Sequence, residues 1–169
     1  EDTLDKADPE ILADDVRIYV TMVARMCCPA VHPYNFVPSA NDFLQQLTDL
    51  QDVAGAHLDV TELIEAAERY RAAAERVAAL SPSDVEGYND AVLRVSRIVN
   101  PALFTIDGPY EFDPALQLPV LPGLAPMRQL ATLDPSSDDY RFLWTSLIRQ
   151  RNRIHDALLQ ATEVLEKLA

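Results

Sequence analysis

Glycine is what this chain is shortest of, with four among 169 residues. So few glycines leave little room for tight turns at positive φ or for a glycine-rich loop around phosphates. Cysteine is scarcer still, and its two copies are adjacent, Cys27 and Cys28. Neighbours on a helix point about 100° apart, so a structural disulfide between them would be strained. Inside their apolar run the expected state is a pair of buried free thiols, which assigns no redox compartment.

Metal- and nucleophile-bearing patterns are missing too. The histidines are His32, His57 and His155, and no two stand three or four residues apart on one helical turn. His57 with Asp59 is at most a fragment of a site, and structural or solvated histidines are the reading adopted. No Gly-x-Ser-x-Gly elbow occurs, and the run around the cysteines offers a thiol no neighbouring base. The carboxylate pairs Asp14–Asp15, Glu62–Glu65 and Asp138–Asp139 fit solvated helices and caps. No complete catalytic site, and no metal or other cofactor of this chain's own, is expected.

Positive charge is short as well. Fourteen Lys and Arg face 27 Asp and Glu, a formal net charge of −13. That balance disfavours nucleic acid, whose binding needs clustered cations, and it disfavours an anionic membrane surface. Solubility is the plain reading of the acidity. Arg149, Arg151 and Arg153 form a modest cationic cluster, expected to salt-bridge to the acidic remainder. No run approaches the ~20 apolar residues of a membrane span. The chain opens on Glu-Asp-Thr without a methionine, the expected look of a cut inside a longer protein, and localisation is left unassigned.

What is abundant is helix-forming sequence: alanine, leucine, arginine and glutamate. The fold class expected is all-α, a helical bundle with a long proline-rich loop before a long C-terminal helix. Residues 1–8 read as the tail of a preceding domain and residues 9–169 as one helical domain. Pro9 suits a first helical turn. From there Ile11, Leu12, Val16, Tyr19, Val20, Val23 and Met26 recur at three- and four-residue steps until Pro29 stops the helix. A proline-bearing connection to Pro38 leads to a short helix after Ser39, with Phe43, Leu44 and Leu47 buried. Asp59 with Glu62, and Ser83 with Glu86, resemble capping boxes. They predict a helix reaching about Leu80 and another carrying Val92, Leu93, Val95, Ile98 and Val99. Residues 100–135 hold seven prolines interleaved with Phe104, Tyr110 and Phe112, expected as an ordered loop with an exposed apolar patch around those three aromatics. The last helix is expected from Ser137 or Asp138 to Leu168. Leu147, Ile154, Leu158, Ala161, Leu165 and Leu168 mark its three-four stripe.

The opening Glu1-Asp2-Thr3-Leu4-Asp5-Lys6-Ala7-Asp8-Pro9 resembles a stretch found just after the last zinc-binding histidine in the co-catalytic zinc exopeptidases, metallopeptidase family twenty-eight. The remainder resembles the helical C-terminal domain shared by glutamate carboxypeptidase and the transferrin receptor. It carries in order Cys27-Cys28-Pro29-Ala30, the alanine-rich helix, Asn89-Asp90, Arg97-Ile98-Val99-Asn100-Pro101 and Asp134-Pro135-Ser136-Ser137.

The resemblance implies a non-catalytic accessory domain that covers the substrate cleft of a preceding, zinc-binding catalytic domain and takes part in homodimerisation. It points to Tyr110, Tyr140 and Arg141 at the cleft rim. It points to Leu147, Ile154, Leu158 and Leu165 on a dimerisation helix. Where glutamate carboxypeptidase has a Lys-Tyr-Ala-Gly segment that helps hold a terminal glutamate, this chain reads Asp138-Asp139-Tyr140-Arg141-Phe142. A glutamate-specific pocket is therefore not carried over. The alternative reading is an independent helical protein-interaction module.

Overall fold

The computed structural model describes residues 8–106 and 118–168, and among them every regular element is a helix. These are α1 (Pro9–Cys27), α2 (Val37–Ala54), α3 (Thr61–Ala78), α4 (Val85–Leu103), α5 (Met127–Leu130) and α6 (Asp138–Glu166). The class is all-α, as the composition requires.

Local chemistry sets most of the boundaries. Asp8 caps α1, its carboxylate accepting from the Glu10 and Ile11 amides at 2.8 and 3.3 Å, ahead of Pro9 at the first turn. At α4 the cap is Asp84, one residue beyond the expected Ser83, and its carboxylate accepts from the Gly87 amide at 3.0 Å. A Cβ at Gly87 would crowd that carboxylate, so a larger residue there would turn the Asp84 side chain away from its capping position. Ser137 caps α6 through Tyr140 N–H at 3.2 Å, with Asp138 and Asp139 in the first turn favouring the helix dipole.

Two expectations about length are corrected. The helix expected to be short and to begin after Ser39 is instead 18 residues long, and it buries Ala40, Phe43, Leu47, Leu50 and Ala54. The proline-rich stretch is not a loop from its first residue. Helix α4 runs through Pro101 to Leu103, and its exposed carbonyls find donors. The Pro101 carbonyl accepts from Thr105 Oγ1 at 2.7 Å and from the Arg153 guanidinium at 3.1 Å. A cation at a helix C-terminus is electrostatically favoured as well.

The core is layered around α6. It packs against α3, α4 and α5, while α2 packs on α3 and α5. Leu147, Ile154, Ala157, Leu158, Ala161 and Leu165 of α6 are all buried, as are Leu63, Ala66, Ala67, Tyr70, Ala73, Ala74 and Val77 of α3. Small residues along α3 let the helix axes approach closely, and the leucines of α6 fill the space. Leu121, Leu124, Met127 and Leu130 return the chain to this core after α4 and are fully buried. Leu121 does so at φ 56°, a conformation unfavourable for a side chain. Its burial and its amide bond to the Leu103 carbonyl at 2.9 Å hold it there.

Helix α1 stands apart. It has no buried residue and no substantial packing against the other five helices.

Because Leu158 is fully buried inside one chain, Leu158→Ala is expected to cost about 2–5 kcal/mol in denaturant unfolding. Leu158→Glu is expected to abolish the cooperative transition rather than yield a folded monomer. The Tyr70 hydroxyl is buried with no hydrogen-bond partner among the described residues, and burial lifts the phenol above its ordinary value of 10.0. Tyr70→Phe should therefore leave stability unchanged or raise it by about 1 kcal/mol. A comparable loss in the same unfolding assay would reveal a partner for that hydroxyl.

Candidate functional site

The surface of this chain is distinguished by two places where large apolar side chains face solvent. The first is α1. Ile11, Leu12, Val16, Ile18, Tyr19, Val20, Met22, Val23 and Met26 are each 45–68% exposed. At about 100° per residue, Glu10, Asp14, Arg17, Thr21 and Arg25 fall on one narrow polar stripe. Asp15 apart, apolar residues take up roughly the remaining two-thirds of the circumference. An amphipathic helix lying on one surface shows an apolar stripe ~100° wide, and a coiled-coil seam is narrower still. The width of this face matches a helix enclosed on more than one side.

The exposed thiols belong to the same surface. Cys27 and Cys28 are free and exposed, which corrects the expectation that they are buried. The expectation assumed that the apolar run around them packs into this chain's core, and α1 has no such packing.

The second place is the start of α6 with the connection 55–60 beside it. Tyr140 is half-buried, its hydroxyl 3.2 Å from His57 Nδ1. Trp144 Nε1 donates to the His57 carbonyl at 3.2 Å, and Arg151 donates to the Asp59 carbonyl at 3.3 Å. Three side chains from one face of α6 thus hold His57 and Asp59 of the α2–α3 connection. Between them, Asp59, Glu62, Leu63, Arg151, Asn152 and His155 line a polar depression of about 320 Å³. Arg141 is exposed and pairs with Asp138 at 3.2 Å, a surface contact of small energetic weight. Phe142, 76% exposed, and Trp144, 40% exposed, carry the apolar surface here.

The expected site residues are thus distributed unevenly. Tyr140 and Arg141 share the α6 N-terminus, whereas Tyr110 and Phe112 lie outside the described residues. Phe104 is 41% exposed and leans on Phe43, ring centroids 5.7 Å apart. Leu147, Ile154, Leu158 and Leu165 face the interior of their own chain and offer a second copy no surface. Among the described residues, Arg151 and Arg153 of the arginine cluster reach backbone carbonyls.

Reasoning from sequence missed Phe142, which lies off the α6 stripe, and Trp144, which continues its spacing three residues before Leu147 and is nonetheless 40% exposed. It also missed the isolation of α1, although the width of that helix's apolar arc was there to be read.

Chemically the arrangement suits recognition. Among the described residues no group of three His, Cys, Asp or Glu side chains is placed to hold a metal ion. No helix among them is long and apolar enough to cross a membrane. No protein-family model, no curated protein and no solved structure matches this chain. The resemblance described above rests on the quoted residues.

Asp59 supplies a pH dependence. Its carboxylate accepts from Thr61 Oγ1 at 2.6 Å and Thr61 N–H at 3.0 Å, and these bonds hold its pKa below the ordinary 3.8. A depressed folded value gives stability that is present above the ordinary value and lost as pH falls through the folded one. Wild type should melt above Asp59→Asn at neutral pH, and the two thermal curves should converge below about pH 3.8. A gap that persists in acid would assign the effect to packing.

Proposed function

We propose that this chain is a non-catalytic helical accessory domain of a larger protein resembling the zinc exopeptidases. In this reading α1 is inserted into the preceding catalytic domain and the helices α2–α6 lie over its substrate cleft. The observation that carries it is the apolar face of α1, too wide for a single partner helix and left exposed by the described residues. Full burial of a large apolar side chain is worth about 1.5–3 kcal/mol. Covering nine residues that are already half-covered thus supplies on the order of 10 kcal/mol before the cost of association. A domain built around α1 realises that gain within one polypeptide.

Zinc and its ligands belong, in this reading, to the preceding domain. The rim residues of the helical domain are Tyr140 and Arg141, joined by Phe142 and Trp144. Self-association, the second role that the resemblance implies, falls to this exposed start of α6, because the leucine stripe is enclosed. Exposure of Phe142 also favours the second reading, an independent module that grips a protein partner with the same surface.

Val16→Asp with Val20→Asp separates these readings. In the isolated chain the pair should shift the unfolding free energy of α2–α6 by less than about 0.5 kcal/mol, since α1 buries no residue against them. In the full-length protein it should release the helical domain to proteolysis and abolish zinc-dependent exopeptidase activity. A reading frame with no histidine-bearing domain ahead of Glu1, or full-length protein indifferent to both charges, would overturn the accessory-domain reading. Phe142→Glu with Trp144→Glu would then be tested for loss of self-association by sedimentation.

A further inference from the structure

Between the exposed helix and the helical core lies the segment 28–36, and one side chain grips it from outside. Asn89 sits in the second turn of α4, 57 and 59 residues away in sequence from the groups it binds. Its Oδ1 accepts from the His32 amide at 2.8 Å. Its Nδ2 donates to the Ala30 carbonyl at 2.8 Å. Both ends of one carboxamide are thus used together on two backbone groups two residues apart, just beyond the end of α1.

The rest of the segment is stiff. Pro29 and Pro33 fix φ at two positions. Tyr34 stacks on Phe36 with centroids 5.9 Å apart and packs with Val31 and Phe36 against the core. What this packing leaves exposed is the stretch nearest α1, residues 28–30, and Asn89 ties its end to α4 by bonding on either side of Val31.

The geometry points to Asn89 as a positioning residue: it fixes where α1 leaves the helical core, so that α1 is presented at a set position instead of on a free tether. The side-chain chemistry is specific. Aspartate keeps the acceptor for His32 but has no donor for Ala30, and its charge would face that carbonyl. Glutamine has both groups one methylene too far out. Alanine has neither. Resting on the reading that α1 docks into a catalytic domain, the consequence is that the clearance between that domain and α2–α6 is held constant by this clamp.

The test uses the whole chain with Cys27→Ser and Glu68→Cys, carrying nitroxide labels on Cys28 and position 68, both exposed. Electron–electron distance measurement should give one narrow distribution, and Asn89→Ala should widen it at least about twofold as the segment opens locally. Hydrogen exchange at the His32 amide should speed up roughly tenfold in Asn89→Ala, which removes its acceptor. In Asn89→Asp that amide should stay protected while the distance distribution still widens. A distribution equally narrow in both variants, or already broad with Asn89 intact, overturns the clamp. A variant that only lowers the melting temperature, with distances unchanged, assigns Asn89 to ordinary stability. These readouts come from the isolated chain, so their failure leaves the docking of α1 untouched. Failure of the α1 charge test likewise leaves the clamp standing.

Discussion

The burial of one leucine-rich stripe on α6 organises everything else that is described. Helix α6 is 29 residues long, so it spans about 44 Å at 1.5 Å per residue, and its inward face touches α3, α4 and α5 in turn. Helix α3 contributes small residues where α6 contributes leucines, which brings the two axes close without voids. The end of α4 and the return through Leu121 are tied to the same helix and its neighbourhood by Arg153 and the Leu103 carbonyl. The α2–α3 connection is tied to it by Tyr140, Trp144 and Arg151. Ion pairs add little to this: Arg76–Glu166 bridges α3 and α6 at 3.5 Å, but both side chains are about half exposed.

That arrangement also divides the surface by function. Apolar area on α2 through α6 is largely consumed by the core, and the greatest exposures that remain among the described residues are on α1 and at Phe142. Folding has already satisfied the stripe that looked most available for a second copy. A stripe of three-four spacing states only that something packs there; whether the partner is the same chain or another is a tertiary matter. Asn89 adds that the two parts are joined by a gripped segment, so a partner that encloses α1 would meet α2–α6 at a set distance.

Helix existence was legible because periodicity and caps are local. Asp8 with Pro9, Ser137 with the two aspartates after it, and Pro29 as a stop all act within one turn of the backbone. Errors came where distant residues decide. Helix α2 runs longer than local signals indicate because Phe43, Leu47 and Leu50 have a core to meet. Helix α4 passes Pro101 and ends at Leu103, where donors from Thr105 and from α6 meet the Pro101 carbonyl that the helix end leaves open. The exposed apolar surface at the start of α6 was not legible, because which face of a helix stays outside is set by distant elements: Phe142 is 76% exposed.

By itself, then, the amino-acid sequence determined the all-α class, the stop of α1 before Pro29 and the net acidity. These follow from composition and from spacings shorter than about two turns, where each residue constrains its neighbours through the same helix. Only the tertiary structure decided that α1 stays unpacked, that Cys27 and Cys28 are exposed, that the α6 stripe is internal, and that Asn89 reaches back to Ala30 and His32. Each of these depends on which faces meet across dozens of residues, and an apolar face carries no label for its partner because the hydrophobic effect is non-directional.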